Sequence, residues 1–163
     1  MFHDEEDSFE RIKKLPLFIK GNEILEVINE ILALIGEEEQ HLVYIKQLIL
    51  EDAYMLTSKI VNAESGDLYD LRMENAAIIR KAAIDLLVQH HSLEMFGFEH
   101  VGYYSIVRKL VEEYRLLFIE WVGGFDKTNY LIDRWGLFNP PGVGPFDYDP
   151  DDYIRDDISD DDF

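Results

Sequence analysis

The sequence predicts an all-α, up-and-down antiparallel helical bundle with long central helices, followed by a Pro/Gly-rich segment and an acidic C-terminal tail. Three observations predict it. Apolar residues recur at intervals of three and four through most of the first 138 residues, the period of a helix with one buried face. Glycines break the pattern at Gly36, Gly66, Gly97 and Gly123-Gly124, and the short connections they imply make neighbouring helices antiparallel. No stretch alternates apolar and polar residues as a half-buried strand requires.

Taken in order, Ser8 to Lys14 makes a turn or two of helix that Pro16 stops. Asn22 reads as an N-cap and Gly36 as the C-terminal stop of the first bundle helix, whose Ile24, Ile28, Ile31, Leu32 and Ile35 share one side. Glu37 to Glu64 forms the next helix, ended by Ser65-Gly66. Asp67 caps a third, Leu68 to Phe96, ended by Gly97. A fourth runs from Val101 to Val122 and aligns Tyr104, Val107, Val111, Tyr114, Phe118 and Trp121 in one stripe, read as core. The three central helices span roughly 22 to 29 residues, about 33 to 44 Å each at the helical rise. Asp126 caps a short last helix that ends at Gly136, and Trp135, Leu137 and Phe138 dock the start of the proline segment onto the bundle. In Asn139-Pro-Pro-Gly-Val-Gly-Pro145 the prolines and glycines forbid helix and sheet alike. Residues 1–138 are therefore read as the helical bundle domain, and 139–163 as a Pro/Gly-rich linker with an Asp-rich tail.

The chain has 163 residues, 47% hydrophobic and 13% aromatic, the composition of one folded domain with its own core. The absence of cysteine excludes a disulfide-stapled scaffold. The opening Met1-Phe-His-Asp-Glu-Glu-Asp7 lacks the basic start and apolar stretch of a signal peptide, so a cytoplasmic location is expected. No window approaches the roughly 18 to 20 apolar residues of a membrane helix, and no membrane is expected as partner. Asp and Glu number 34 against 15 Lys and Arg, a net charge of −19 that opposes direct binding to nucleic acid. Nine Asp against one Arg put −8 of that charge on residues 147–163.

In a helical bundle, chemistry sits where polar side chains point at the core. Counting outward from the turn at Ser65-Gly66 brings Glu38, His41, His90 and Glu94 to one level near one end. Glu38 with His41 is a Glu-x-x-His step and His90 with Glu94 an i, i+4 pair, spacings that put two ligands on one helix face. Two imidazoles and two carboxylates suit zinc, iron or manganese. A ferritin-like two-metal centre also needs carboxylates from the other two helices, which offer Leu34, Ile35, Tyr103 and Tyr104 at that level. The competing reading makes Glu38 a first-turn carboxylate favoured by the helix dipole, and His90 with Glu94 an ordinary hydrogen-bonded pair. No cofactor other than such a metal is expected.

At the opposite end, Lys59, Arg72, Asn75 and Asp126 come near Glu64, as an anion pocket or a structural ion-pair cluster. In the tail, Asp147, Asp149, Asp151 and Asp152 resemble the opening of an EF-hand calcium loop. The pattern departs from it where Asp152 replaces the turn glycine and Ile158 the bidentate glutamate.

No nucleophile motif or glycine-rich nucleotide fingerprint is present. The functional expectation is a protein-association or adaptor module without catalysis, acting on a protein partner or as a homo-oligomer. Its acidic arm, with interleaved aromatics, would be the contact segment. The alternatives are a metal-binding bundle enzyme using the Glu/His cluster, and an acidic nucleic-acid mimic that occupies a basic partner.

Overall fold

The computed structural model describes residues 2–149. Five α-helices carry the fold: α1 (Phe2–Lys13), α2 (Pro16–Leu32), α3 (Gln40–Glu64), α4 (Tyr69–Met95) and α5 (Tyr104–Gly123). A 3-10 turn, Val101–Tyr103, leads into α5, and the described residues contain no strand. Helices α2 to α5 close a ring in which α3 packs on α4, α4 on α5, α5 on α2 and α2 on α3, while α1 lies across α2 and α3. The all-α up-and-down bundle is the architecture observed. No helix among the described residues is long and apolar enough to cross a membrane.

The core follows the periodicity. Ile24, Ile28 and Leu32 of α2 meet Leu42, Ile49, Leu56 and Ile60 of α3, and Ile79, Leu86 and Leu93 of α4. Each such side chain contributes about 1.5 to 3 kcal/mol by leaving water. From α5 come Val107 and two buried tyrosines whose hydroxyls cannot go unpaired in an apolar interior. Tyr104 donates to the Leu86 carbonyl at 2.6 Å and Tyr114 to the Leu56 carbonyl at 2.7 Å, tying α5 to the middle of α4 and of α3. Burial holds both phenols far above the usual tyrosine range. At the crossing of α2 and α3, a methyl group at Gly21 would lie 2.9 Å from Thr57 Cγ2 and 3.1 Å from the Leu56 carbonyl oxygen. Only a glycine lets the two backbones approach so closely.

Several element boundaries depart from the sequence reading. Pro16 does not stop a helix but starts one: at N1 its missing N–H costs nothing, and extended Leu15 precedes it as the N-cap. Asn22 is therefore inside α2, and α1 runs the full 12 residues before the corner. Helix α3 begins at Gln40, not Glu37, because Glu39 turns back on Gly36, its carboxylate accepting the Gly36 amide at 3.1 Å. Asp67 caps nothing. The first amide of α4, Tyr69 N–H, instead donates at 2.8 Å to the backbone carbonyl of Asn129. The expected helix from Asp126 to Gly136 is absent: Asp126 accepts Thr128 N–H at 2.9 Å and Thr128 Oγ1 at 2.6 Å, closing a turn. The side-chain-to-backbone bonding that suggests a helix cap serves turns equally well.

At its C-terminus α4 ends as the sequence predicts. Gly97 adopts φ +78°, and the bonds Phe98 N–H to Leu93 O (2.9 Å) and Gly97 N–H to Glu94 O (3.0 Å) make a Schellman cap. Phe98 is thereby turned into the core.

Candidate functional site

Three polar groupings stand out, one at each end of the bundle and one in the segment after α5. Glu64, the last residue of α3, keeps only 7% of its side chain exposed. Its Oε2 accepts both Arg11 Nη groups at 3.2 Å and Arg72 Nη2 at 3.4 Å, and its Oε1 accepts Trp121 Nε1–H at 2.8 Å. Arg72 also donates Nε–H to the Gly66 carbonyl at 2.8 Å, and its guanidinium lies 5.2 Å from the centre of the Phe125 ring. One carboxylate thus joins α1, α3, α4 and α5, with its charge answered on the spot. Of the residues predicted here, Arg72 belongs to the cluster. Lys59 is half-buried on α3 and is not among the groups that hold Glu64, Asn75 donates to Leu71 O of its own helix, and Asp126 serves its own turn. Arg11 and Trp121 are the additions, beyond the reach of counting from the α3–α4 turn because they arrive on other helices.

The segment after α5 is built, though it contains no helix. Phe125 is buried against Tyr69, Ala76, Met73 and Trp121, a second small apolar cluster. Asn129 holds the start of α4 from outside, its side-chain amide reaching the Asp67 carbonyl while Leu131 N–H donates to Asp70 Oδ1. Asp133 organises the next turn. Its carboxylate accepts the amides of Trp135 (2.9 Å), Leu137 (2.8 Å) and Phe138 (2.8 Å). The Phe138 amide, then those of Trp135 and Leu137, hold this carboxyl below the usual aspartate range. Asn139 clasps the Asp133 backbone in both directions, at 2.7 and 2.9 Å. Arg134 Nη1 reaches the carbonyls of Pro145 (3.2 Å) and Asp147 (2.6 Å), folding the proline stretch back on the loop.

This fixed backbone displays apolar side chains outward. Trp135 is 91% exposed, Phe146 90%, Tyr148 82% and Leu137 75%. The expected docking of Trp135 and Leu137 onto the bundle is therefore overturned: Phe125 makes that contact, and the other two face water. The sequence carries the signal in Asp133 and Arg134, because a loop pinned by its own polar side chains needs no apolar anchor at each position.

At the other end of the bundle lie histidines. His90 Nδ1 is 3.8 Å from Glu94 Oε2, too far for a hydrogen bond, and this nitrogen is buried without a hydrogen-bond partner. The His91 ring stands nearly perpendicular to that of His90, 5.7 Å centre to centre. One donor atom each from His90, His91 and Glu94 fall within 4.8 Å of one another. Of the four residues predicted to converge, His90 and Glu94 do. Glu38 falls in the turn before α3, its carboxylate against Gly36, because the helix starts two residues later than Glu38 itself. His41 stacks on Phe96 at 5.1 Å. Neither belongs to the three-donor group. His91 does, and the sequence reading omits it, although His-His-x-x-Glu places Glu94 at i+4 from one histidine and i+3 from the other.

Of the four-aspartate run, Asp147 accepts Gly144 N–H at 2.9 Å within its own turn, Asp149 is half-buried, and Asp151 and Asp152 lie outside the described residues. Compared with family models, curated proteins and solved structures, the chain finds no match.

Proposed function

We propose that this protein is a non-catalytic association module in which the helical bundle is the platform and the 131–148 loop is the contact surface. The observation that carries the reading is the display of Trp135, Leu137, Phe146 and Tyr148 at 75% exposure or more on a backbone held by Asp133, Arg134 and Asn139. Large aromatics dominate interface energetics because each removes much area from water at the loss of few rotatable bonds. Four such side chains exposed in one loop are more than the singly scattered apolar residues of an ordinary surface. A loop already fixed in shape gives up little conformational entropy when it docks.

The partner that fits is a protein with apolar pockets rimmed by Lys and Arg. Asp147 and Asp149 sit beside Phe146 and Tyr148, and the chain as a whole carries −19. The same charge repels a second copy of this chain, which favours a basic partner over self-association.

The test is cross-linking of the full chain in lysate of its source cells, run beside a Trp135→Ala/Phe146→Ala variant that melts at the wild-type temperature. The reading expects a partner captured by wild type and lost with the variant. That partner, once purified, binds the wild-type chain at one to one and weakens as salt rises. An unchanged set of captured proteins, or self-association that survives the double substitution, overturns it.

A further inference from the structure

The geometry points to a second site, independent of the loop: His90, His91 and Glu94 form a binding site for a borderline divalent transition-metal ion, with Zn²⁺ as the probe. The three residues occupy the last two turns of α4, where successive turns stack side chains i, i+3 and i+4 on one face. Their donor atoms already fall within 4.8 Å of one another. Zn–N and Zn–O bonds of about 2.0 to 2.2 Å in a tetrahedral array put donors about 3.4 Å apart, so the three must close in by up to about 1.4 Å, a change that side-chain rotation supplies.

Two further observations favour a ligand over a resting ion pair. His90 Nδ1 is shut away from solvent with no hydrogen-bond partner, and its separation from Glu94 Oε2, 3.8 Å, exceeds a hydrogen bond. A metal between them satisfies both atoms at once. The site also lies where α4 ends, with the negative pole of the helix dipole beside it. The donor set selects the ion. Two imidazoles and one carboxylate suit zinc and its neighbours, whereas Mg²⁺ and Ca²⁺ prefer oxygen ligands throughout. His91 and Glu94 are exposed, so water completes the coordination and the ion enters from solvent.

The full chain, stripped with chelator and freed of tags, is titrated with Zn²⁺ by calorimetry in excess Mg²⁺, which saturates surface carboxylates. Co²⁺ replaces Zn²⁺ for a visible spectrum that reports nitrogen ligation. One equivalent is expected. His91→Ala and Glu94→Gln should each weaken it by more than about ten-fold, since even outer partners of metal ligands are worth that much. Both side chains are exposed, so these variants keep the wild-type helix content. His41→Ala should bind as wild type does. Affinity unchanged in His91→Ala and Glu94→Gln, or binding that excess Mg²⁺ abolishes, overturns the site. Failure of the loop variant leaves this result untouched.

Discussion

Asp52 sits on the shoulder of α3, neither in the core nor in open water. Partial burial, then the nearby Asp85 carboxylate, pushes its pKa up to about 6, with Lys81 pulling the other way. The folded state therefore binds the proton more tightly than the unfolded chain, whose aspartates titrate near 3.9. Its favourable contribution is complete below that value and is lost as pH rises through about 6. At neutral pH the ionised side chain destabilises the fold by about 1 kcal/mol, after discounting for its contact with solvent. Asp52→Asn should thus raise the urea midpoint at pH 7, and the gap over wild type should shrink towards zero near pH 4. A gap independent of pH would contradict the assignment. The burial of Asp52 is legible from the helical wheel, but its like-charged neighbour on α4 is not, because that needs the register of one helix against the other.

At the scale of elements, the crossing of α2 and α3 at Gly21 leaves no room for a side chain. Alanine is worth about 1 kcal/mol over glycine in an open helix. Here its methyl would meet Thr57 and the Leu56 carbonyl at 2.9 and 3.1 Å, and Leu56 O also accepts the Tyr114 hydroxyl. Overpacking of this kind costs about 1 to 3 kcal/mol. Gly21→Ala should therefore be net destabilising in chemical denaturation, and a stabilised variant would show that the helices part freely.

The same scale separates what the sequence reveals from what it hides. The α3–α4 hairpin is legible because Gly66 and Gly97 punctuate two long stretches free of other breakers. The start of α2 is not, since a proline reads alike as a stop and as a first residue. The loop after α5 imitates a helix because Asp126 and Asp133 bond to nearby amides, as helix caps do. For the histidine site, the i, i+4 pair of His90 and Glu94 is visible in the spacing. Glu38 drops out because α3 begins three residues later, at Gln40 rather than Glu37, whereas His41 stays on the helix and stacks on Phe96.

For the whole molecule, the bundle and the segment behind it are one structure. A chain ending at Gly123 loses the burial of Phe125, worth about 3 to 5 kcal/mol, and the carbonyl that receives Tyr69 N–H, about 1 kcal/mol more. It should melt well below the full chain while keeping most of its helical circular dichroism. Equal melting temperatures would show that residues beyond α5 are ornament. The Glu64 cluster works in the same direction, since Arg72 faces both Glu64 and Phe125 and so couples the ion pair to the segment's seat.

Asn129 closes the open end of a helix from far along the chain: its backbone carbonyl accepts the Tyr69 amide, and its side chain donates to the Asp67 carbonyl 62 residues away in sequence. A ribosome releases the N-terminal part first, so a nascent chain can pair α2 with α3 while the beginning of α4 still lacks its clasp. The start of α4 can therefore receive its clasp only after the loop that carries the display surface has left the ribosome.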